Sequence, residues 1–513
     1  MSYFVTNWVG VIAGWVVAAH FVVLAMYRAG MYTNAEYLEA RFGPVARVIS
    51  VCVQVQYRTL ILGIIANTIY LVLAIVCGWG IQAWWAVVSV AFLATVYTAL
   101  GGLKSVATTD ALQTIVMLIA SLVLFVVVWR AIGGWGGLEE KLAEHDADLP
   151  RKMLHVGHDA VEIQSVEGKS AGEIERLLLV GGSYDENKQQ IVKRTSAWWV
   201  CTAFFIIGLA YSIVNHTQSM RMFGARSEWD LKMSIVIASL ILLVTTFTNL
   251  TIGIIGRALY PDPSLMPLTE ALQKNDSIYP LIVRDLTTFG FKGLVVAGVV
   301  AAAFSTFDSI GSTLSALLVR DVYARLIVRN RDDHHYLRVG QWLTPVIIFG
   351  SFGYVPFLVE ETMLLFYLNL VGAFVVPLLT VYLMGVFTRV HRRTGAVGLL
   401  VGILYGTLRL LAPQIAETFG IAILPQIMVD NYASYVFSVL ITGGTMVLLS
   451  MAIGWEPRGK LLHEEASGWL RASQLEVARI DQSHQVSRSS FWPVALGIVV
   501  VAIGVILSFV VFW

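Results

Sequence analysis

Apolar runs of about 20 residues recur from one end of this 513-residue chain to the other. Coiled at 1.5 Å per residue, such a run crosses the roughly 30 Å hydrocarbon core of a bilayer. Inside that core each backbone N–H and C=O must be satisfied without water, which a helix does within its own segment. Twelve spans are expected, near residues 8–27, 47–77, 83–100, 108–132, 197–218, 232–256, 293–318, 341–358, 363–388, 395–412, 432–454 and 491–512. With 57% hydrophobic and 13% charged residues, the chain has too little polar surface for a water-soluble fold of this length. The fold class is therefore an all-α polytopic membrane protein whose surroundings are the lipid bilayer. A net charge of +1 attracts no polyanion, so nucleic acid is not expected as a partner. Cys52, Cys77 and Cys201 lack metal-ligand spacing and read as small apolar residues of packed helices.

Charge in the short loops orients the spans. Arg28, Arg41 and Arg47 follow the first, Lys104 the third, Arg221, Arg226 and Lys232 the fifth, Arg320 and Arg325 the seventh, and Arg389, Arg392 and Arg393 the ninth. The alternate loops 78–82, 359–362 and 413–431 contain neither Lys nor Arg. The positive-inside rule makes the arginine-rich side cytoplasmic and places both termini outside, in a bacterial-type inner or plasma membrane. Residues 139–196 form a polar extracytoplasmic insertion, in which His145, His155 and His158 read as solvated surface rather than metal ligands. Residues 456–490 read as a cytoplasmic amphipathic segment.

One span contradicts its own solvent. "AAAFSTFDSIGSTLSALLVRDVY" carries Ser305, Thr306, Asp308, Ser309, Ser312 and Ser315 in an otherwise apolar run. An acid at mid-bilayer costs at least about 2.5–3.5 kcal/mol, so it calls for a partner or a watery cavity. Residues three, four and seven apart share a helix face, so Ser305, Asp308, Ser309 and Ser312 form one stripe. Ser and Thr hydroxyls in membrane helices also bond back to their own preceding turn, which accounts for any one of them taken alone. The set of hydroxyls and carbonyls suits a hard cation; Ser305, Thr306 and the Ala302 carbonyl supply three oxygens, and a second helix must complete the shell. "TTDALQ" has two readings: Asp110 as a cation-site acid, or as a helix N-cap with Gln113 reaching back. Arg58, inside the second span, either holds an anionic group or snorkels to the membrane surface.

These residues bring a family into view. The Ser305–Thr306 pair after a small-residue run, ending in Asp321-x-Tyr323, resembles the sodium-site helix of the sodium:solute symporter family, which includes the sodium–glucose cotransporters. "TNAEYLEARFG" at 33–43 is similar to that family's first cytoplasmic loop. "VYTALGGLKSVATTDALQ" at 96–113 and "NHTQSMRMFGARS" at 215–227 are similar to two further segments in the family's order.

The resemblance implies a leucine-transporter-type core of two inverted five-helix repeats. On it, residues 1–138 belong to the first repeat, 197–394 to the second with its sodium-site helix at 293–323, and 395–513 add C-terminal helices. The family's discontinuous first core helix has no counterpart here and is expected upstream of Met1. The resemblance makes Ala302, Ser305 and Thr306 sodium ligands and Asp110 a further cation-site acid; Asp308, one turn beyond Ser305, reads either as a second cation-site acid or as a bond to neighbouring helices. The resemblance also makes Asn215 a solute contact, where a lone Asn near a helix end otherwise reads as a cap or an interhelical bond; Tyr211, one turn before it, and Arg58, a charge inside its span, are weaker solute candidates. The implied function is non-enzymatic: Na+-coupled symport of a small organic solute by alternating access, sugar or polyol ahead of carboxylate and amino acid. The alternative is a degenerate, non-transporting sensor or scaffold that keeps the fold.

Overall fold

The computed structural model describes residues 1–28, 30–165, 174, 178, 183–185, 190–262, 266–269, 272–360, 363–457 and 491–513. Among them are twelve helices long and apolar enough to cross a membrane, one for each expected run. Nearly all of the amphipathic segment expected at 456–490 lies outside the described residues.

Two compact units divide the chain: Met1–Gln54, His155–Leu240 and Leu368–Trp513 form the first, Val55–Leu154 and Ile241–Tyr367 the second. The helices are α1 (Val5–Arg28), α2 (Asn34–Phe42), α3 (Pro44–Val76), α4 (Ala83–Ile132), α5 (Gly134–Ala143), α6 (Leu149–Leu154), α7 (Ala197–Val214), α8 (His216–Phe223), α9 (Glu228–Leu259), α10 (Ile278–Leu286), α11 (Phe289–Leu317), α12 (Asp333–Gly350), α13 (Met363–Phe387), α14 (Thr394–Phe419), α15 (Ala433–Ile453) and α16 (Phe491–Val511).

In the first unit α1 packs on α7 through small residues. A Cβ added to Gly208 would lie 2.4 Å from the Thr6 carbonyl oxygen and 2.5 Å from the Gly10 carbonyl carbon, so only glycine lets these backbones approach. Helix α2 is buried along its whole length, acids and arginine included. Arg41, an orientation marker in the sequence, is fully buried and donates to the carbonyls of Gly385, Thr388 and Val390 at 3.2, 3.3 and 2.7 Å. A cation satisfying the free carbonyls at the C-terminal end of α13 also complements the helix dipole.

Helices α5 and α6 belong to the second unit; the first unit holds a three-stranded antiparallel sheet of order β1-β3-β2, with β1 Ala160–Ser165, β2 Ser183–Asp185 and β3 Gln190–Thr195. The sheet is tied down by Asp430, which accepts from the Thr195 hydroxyl (2.9 Å) and the Lys193 ammonium (3.4 Å) while capping α15 through the Tyr432 and Ala433 amides. Burial pushes the Asp430 carboxyl up, but the Ala433 amide, Lys193, the Tyr432 amide and Thr195 outweigh it and hold the group below the ordinary value. A depressed carboxyl contributes stability that is fully present above its unfolded value of about 3.9 and lost as pH falls through the folded one. Amide exchange in residues 190–195 is therefore expected to be slow at pH 7 and to lose protection only below about pH 4. Asp430→Asn should speed that exchange about tenfold at pH 7; unchanged protection would show that the sheet is held by other contacts.

The second unit is built on α11 lying along α4. A Cβ on Gly298 would come within 2.6 Å of the Ala120 Cβ, marking the close approach. Helix α4 takes in 50 residues where the sequence suggests two spans joined by a turn, and two lengths of it, Gly80–Ala99 and Thr108–Ile132, are each long and apolar enough to cross a membrane. Along α11, Ala120 meets Gly298, Asp110 meets Ser305, and Tyr97 returns to Asp308. A straight rod would carry Tyr97 about 20 Å beyond Asp110. The chain therefore reverses between Tyr97 and Asp110, as the sequence suggests.

Candidate functional site

The reversal of α4 brings two of its polar side chains to one turn of α11. The Ser305 hydroxyl donates to Asp110 Oδ1, and the Ser309 hydroxyl lies 3.2 Å from Asp110 Oδ2. Ser309 Oγ is also 3.0 Å from Asp308 Oδ1, and the Tyr97 hydroxyl donates to Asp308 Oδ2. Asp308 is fully buried and Asp110 is 9% exposed. Two carboxylates thus share one serine hydroxyl, flanked by a second serine and a tyrosine. Like charges this close in a medium of low dielectric repel strongly, and a cation placed among the oxygens offsets that repulsion.

Asp110 stands near the start of the second membrane-crossing length of α4, Thr108–Ile132, and both its carboxylate oxygens meet hydroxyls of α11.

The polar stripe of α11 splits into two kinds of hydroxyl. Ser312 donates to the Asp308 carbonyl at 2.7 Å, Ser315 to the Ser312 carbonyl at 3.0 Å and Thr313 to the Ser309 carbonyl at 2.5 Å, the ordinary back-bonds of a membrane helix. Ser305 and Ser309 instead reach across to α4. Thr306 back-bonds to the Ala302 carbonyl at 2.7 Å. Its oxygen and that carbonyl are thereby adjacent, and the hydroxyl oxygen keeps its acceptor capacity, while Ser305 one residue away turns to Asp110.

In the first unit the fifth span is shorter than its apolar run suggests. α7 stops at Val214 and α8 starts at His216, with Asn215 between them at φ −66° and ψ 99°. The Asn215 side chain accepts from the Thr217 amide at 3.1 Å, capping α8. Asparagine favours this role because its short amide bonds the backbone two residues on. Asn34 fills the gap from α2, donating to the Val214 carbonyl at 2.8 Å. Tyr211 is half-buried one turn earlier on α7. Arg58 lies in the second unit, 7% exposed, with its guanidinium 5.7 Å from the Tyr57 ring centroid. That burial rules out snorkelling, which leaves the charged head in water. Cys52 and Cys77 are exposed rather than packed, whereas Cys201 is buried. Tyr97 and Asn34 escape a sequence reading because each stands alone in its segment, with no periodic partner to mark it.

The sodium:solute symporter family model matches residues 3–406. Sodium/glucose cotransporter 4 of Danio rerio is 24% identical over 500 residues, covering 92% of this chain and 70% of that protein. Sodium/myo-inositol cotransporter 2 of Homo sapiens is 27% identical over 412 residues, covering 76% of this chain and 56% of that protein. The chain thus spans little more than half the length of several such relatives, solute carrier family 5 member 4 of Rattus norvegicus among them at 58%. The solved substrate-bound, outward-open structure of a Na+-coupled sialic acid symporter superposes with a TM-score of 0.66 at 18% identity, over 89% of this chain and 84% of the other. The architecture is the leucine-transporter type of inverted-repeat core. With the family model matching well over half its length, the chain belongs to the sodium:solute symporter family.

Proposed function

We propose that this protein is a secondary active symporter that couples inward sodium flow to the uptake of a small organic solute. The observation carrying this reading is the oxygen cluster of Asp110, Ser305, Ser309 and Asp308, which joins two helices of a membrane protein of this family. Sodium is cargo here, held by Ser305, Thr306 and the Ala302 carbonyl, with Asp110 and Asp308 supplying charge. Asn215, at the break between α7 and α8, contacts the solute; broken helices are where transporters of this architecture bind their cargo. Tyr211 and Arg58 are secondary candidates. A sugar or polyol is favoured, since the relatives named above carry glucose and myo-inositol in their names. The arginine-rich loops face the cytoplasm, and the work is transport rather than catalysis. Sodium raises solute affinity only by as much as it binds the outward-open state better than the inward-open one.

The test is uptake by the purified full chain in liposomes. With an inward sodium gradient, labelled D-glucose or myo-inositol is expected to accumulate above its external concentration. Replacing sodium by choline, or collapsing the gradient, should abolish accumulation. Uptake indifferent to sodium, across a panel of sugars, polyols, carboxylates and amino acids, would reject symport.

A further inference from the structure

A groove in the second unit takes no part in the transport proposed above. It has a volume of about 530 Å³ and runs between α3, the end of α11 and α12. Leu343, Val346, Ile347 and Gly350 line it from α12, at positions i, i+3, i+4 and i+7 of one helix face. Thr59 lines it from α3, and Leu318 from the residue that follows α11. The turn Ser351–Tyr354 presses on α3: a Cβ on Gly63 would come within 2.9 Å of the Ser351 carbonyl oxygen and 3.0 Å of the Tyr354 Cβ. Beside that contact the groove is open, since a Cβ added to Gly350 or Gly353 would meet nothing within 4 Å.

The lining excludes polar guests. Thr59 and Tyr354 are its polar side chains, and both hydroxyls donate to carbonyls of α3, Thr59 to Val55 at 2.7 Å and Tyr354 to Gln56 at 3.4 Å. A water needs several polar partners, so an apolar groove of this kind is dry. Left empty, its lining would forfeit dispersion contacts on that side. A hydrocarbon chain restores them and asks for no hydrogen bond.

The groove also opens on the membrane. Val346 is 67% and Phe357 57% exposed, and both line it from the span Asp333–Leu358, so it is continuous with the surface that span presents to lipid. Its depth is that of one leaflet. Leu343 and Gly350 lie about 7.5 and 18 Å along α12 from the exposed Arg338, and a leaflet contributes about 15 Å of hydrocarbon. Arg320 stands two residues past Leu318 at the same membrane face, where α11 leads into α12. Guanidinium groups at headgroup level pair with phosphate, so tail and headgroup are both matched.

We propose that this groove holds one acyl chain of a membrane phospholipid whose phosphate meets Arg320 and Arg338, a resident lipid that braces α3 and α12 against the end of α11.

The experiment places the full chain in phosphatidylglycerol bilayers doped with a phosphatidylglycerol whose acyl chain carries a diazirine. After irradiation, labelled peptides are mapped by mass spectrometry. Leu440 and Leu448 of α15 and Ile498 of α16, exposed to a similar degree, serve as the reference. Labelling of residues 343–357 should exceed theirs about tenfold, the enrichment given by about 1.4 kcal/mol over bulk lipid. Gly350→Leu puts a side chain into the open space, and leucine suits a helix better than glycine, so the variant should fold. It should lower labelling of 343–357 to the reference level and leave α15 and α16 unchanged. Gly353→Leu carries the same test if Gly350→Leu does not fold. A diazirine fatty acid, which lacks the phosphate, should label the groove far less than the phospholipid. Even labelling over all exposed helix faces overturns the site, as does undiminished labelling in the filled variants. Equal labelling by the fatty acid overturns the phospholipid as its occupant. None of these readouts uses sodium or uptake, so their failure is distinct from a failure of symport.

Discussion

Changing Ser305 and Thr306 together to alanine is expected to raise the sodium concentration for half-maximal uptake at least about tenfold. The solute KM at saturating sodium should move far less. Ser305 donates to Asp110 and Thr306 to the Ala302 carbonyl at 2.7 Å, so each hydroxyl already belongs to an oxygen cluster that a hard cation prefers. A hydrogen bond or ligand contact to a charged group is worth about 1.5–3 kcal/mol, and tenfold corresponds to about 1.4, so one effective contact suffices for the effect. The two single variants divide the site. If the cation lies beside Asp110, Ser305→Ala carries most of the shift; if it lies beside the Ala302 carbonyl, Thr306→Ala does. Both substitutions shorten side chains without adding bulk, and alanine is the best helix former, so α11 should persist. Sodium activation curves for the three variants, taken with matched protein in the membrane, make the measurement. A double variant with the wild-type sodium curve would remove sodium from this stretch of α11.

How much of this was legible in the sequence differs by level. The membrane helices were, because bilayer thickness and backbone hydrogen bonding leave a chain this apolar little choice. The Ser305–Asp308–Ser309 face was legible too, since helical spacing alone puts those residues together. What the sequence does not contain is the partner across the contact. Tyr97 sits in an apolar run that looks like any interfacial tyrosine, and only the doubling back of α4 delivers it to Asp308. Asp110 makes the same point from the other side. A Thr-Thr-Asp followed by Gln three residues on has the local signature of a helix start, and that signature says nothing of the Ser305 and Ser309 hydroxyls its carboxylate meets. Arg41 reads from the sequence as a loop charge, yet it is sealed against the carbonyl end of α13, because charge-counting rules see side-chain type and not burial. Asn215 was open to two readings, and the structure shows that one does not exclude the other: the cap uses Oδ1, and Nδ2 is left over.

The change expected to have the largest effect is Asp110→Asn. As a helix cap the substitution would be nearly silent, because Asn and Asp cap alike. As a cation-site acid it would not be silent, and its two carboxylate oxygens face hydroxyls of Ser305 and Ser309. Asparagine keeps the shape and one acceptor, but replaces the second oxygen by a donor and removes the negative charge. Neither serine loses all its options, since a hydroxyl can turn to accept from the new amide. Packing should therefore survive, and the loss should fall on the cation. A unit charge beside a partly desolvated ion is worth several kcal/mol at the effective dielectric of a protein, before desolvation is subtracted. A net loss of about 2.7 kcal/mol corresponds to a hundredfold higher sodium requirement. Because Ser305 bonds to Asp110, the two substitutions should not be additive: Ser305→Ala in the Asp110→Asn background should cost much less than it does alone. Sodium activation of uptake in the wild type, both single variants and the double variant closes that cycle, with thermal stability measured alongside. Independent, additive shifts would mean that Ser305 and Asp110 serve different ions. A wild-type sodium curve in Asp110→Asn would mean that the carboxylate holds the helices together and takes no part in coupling.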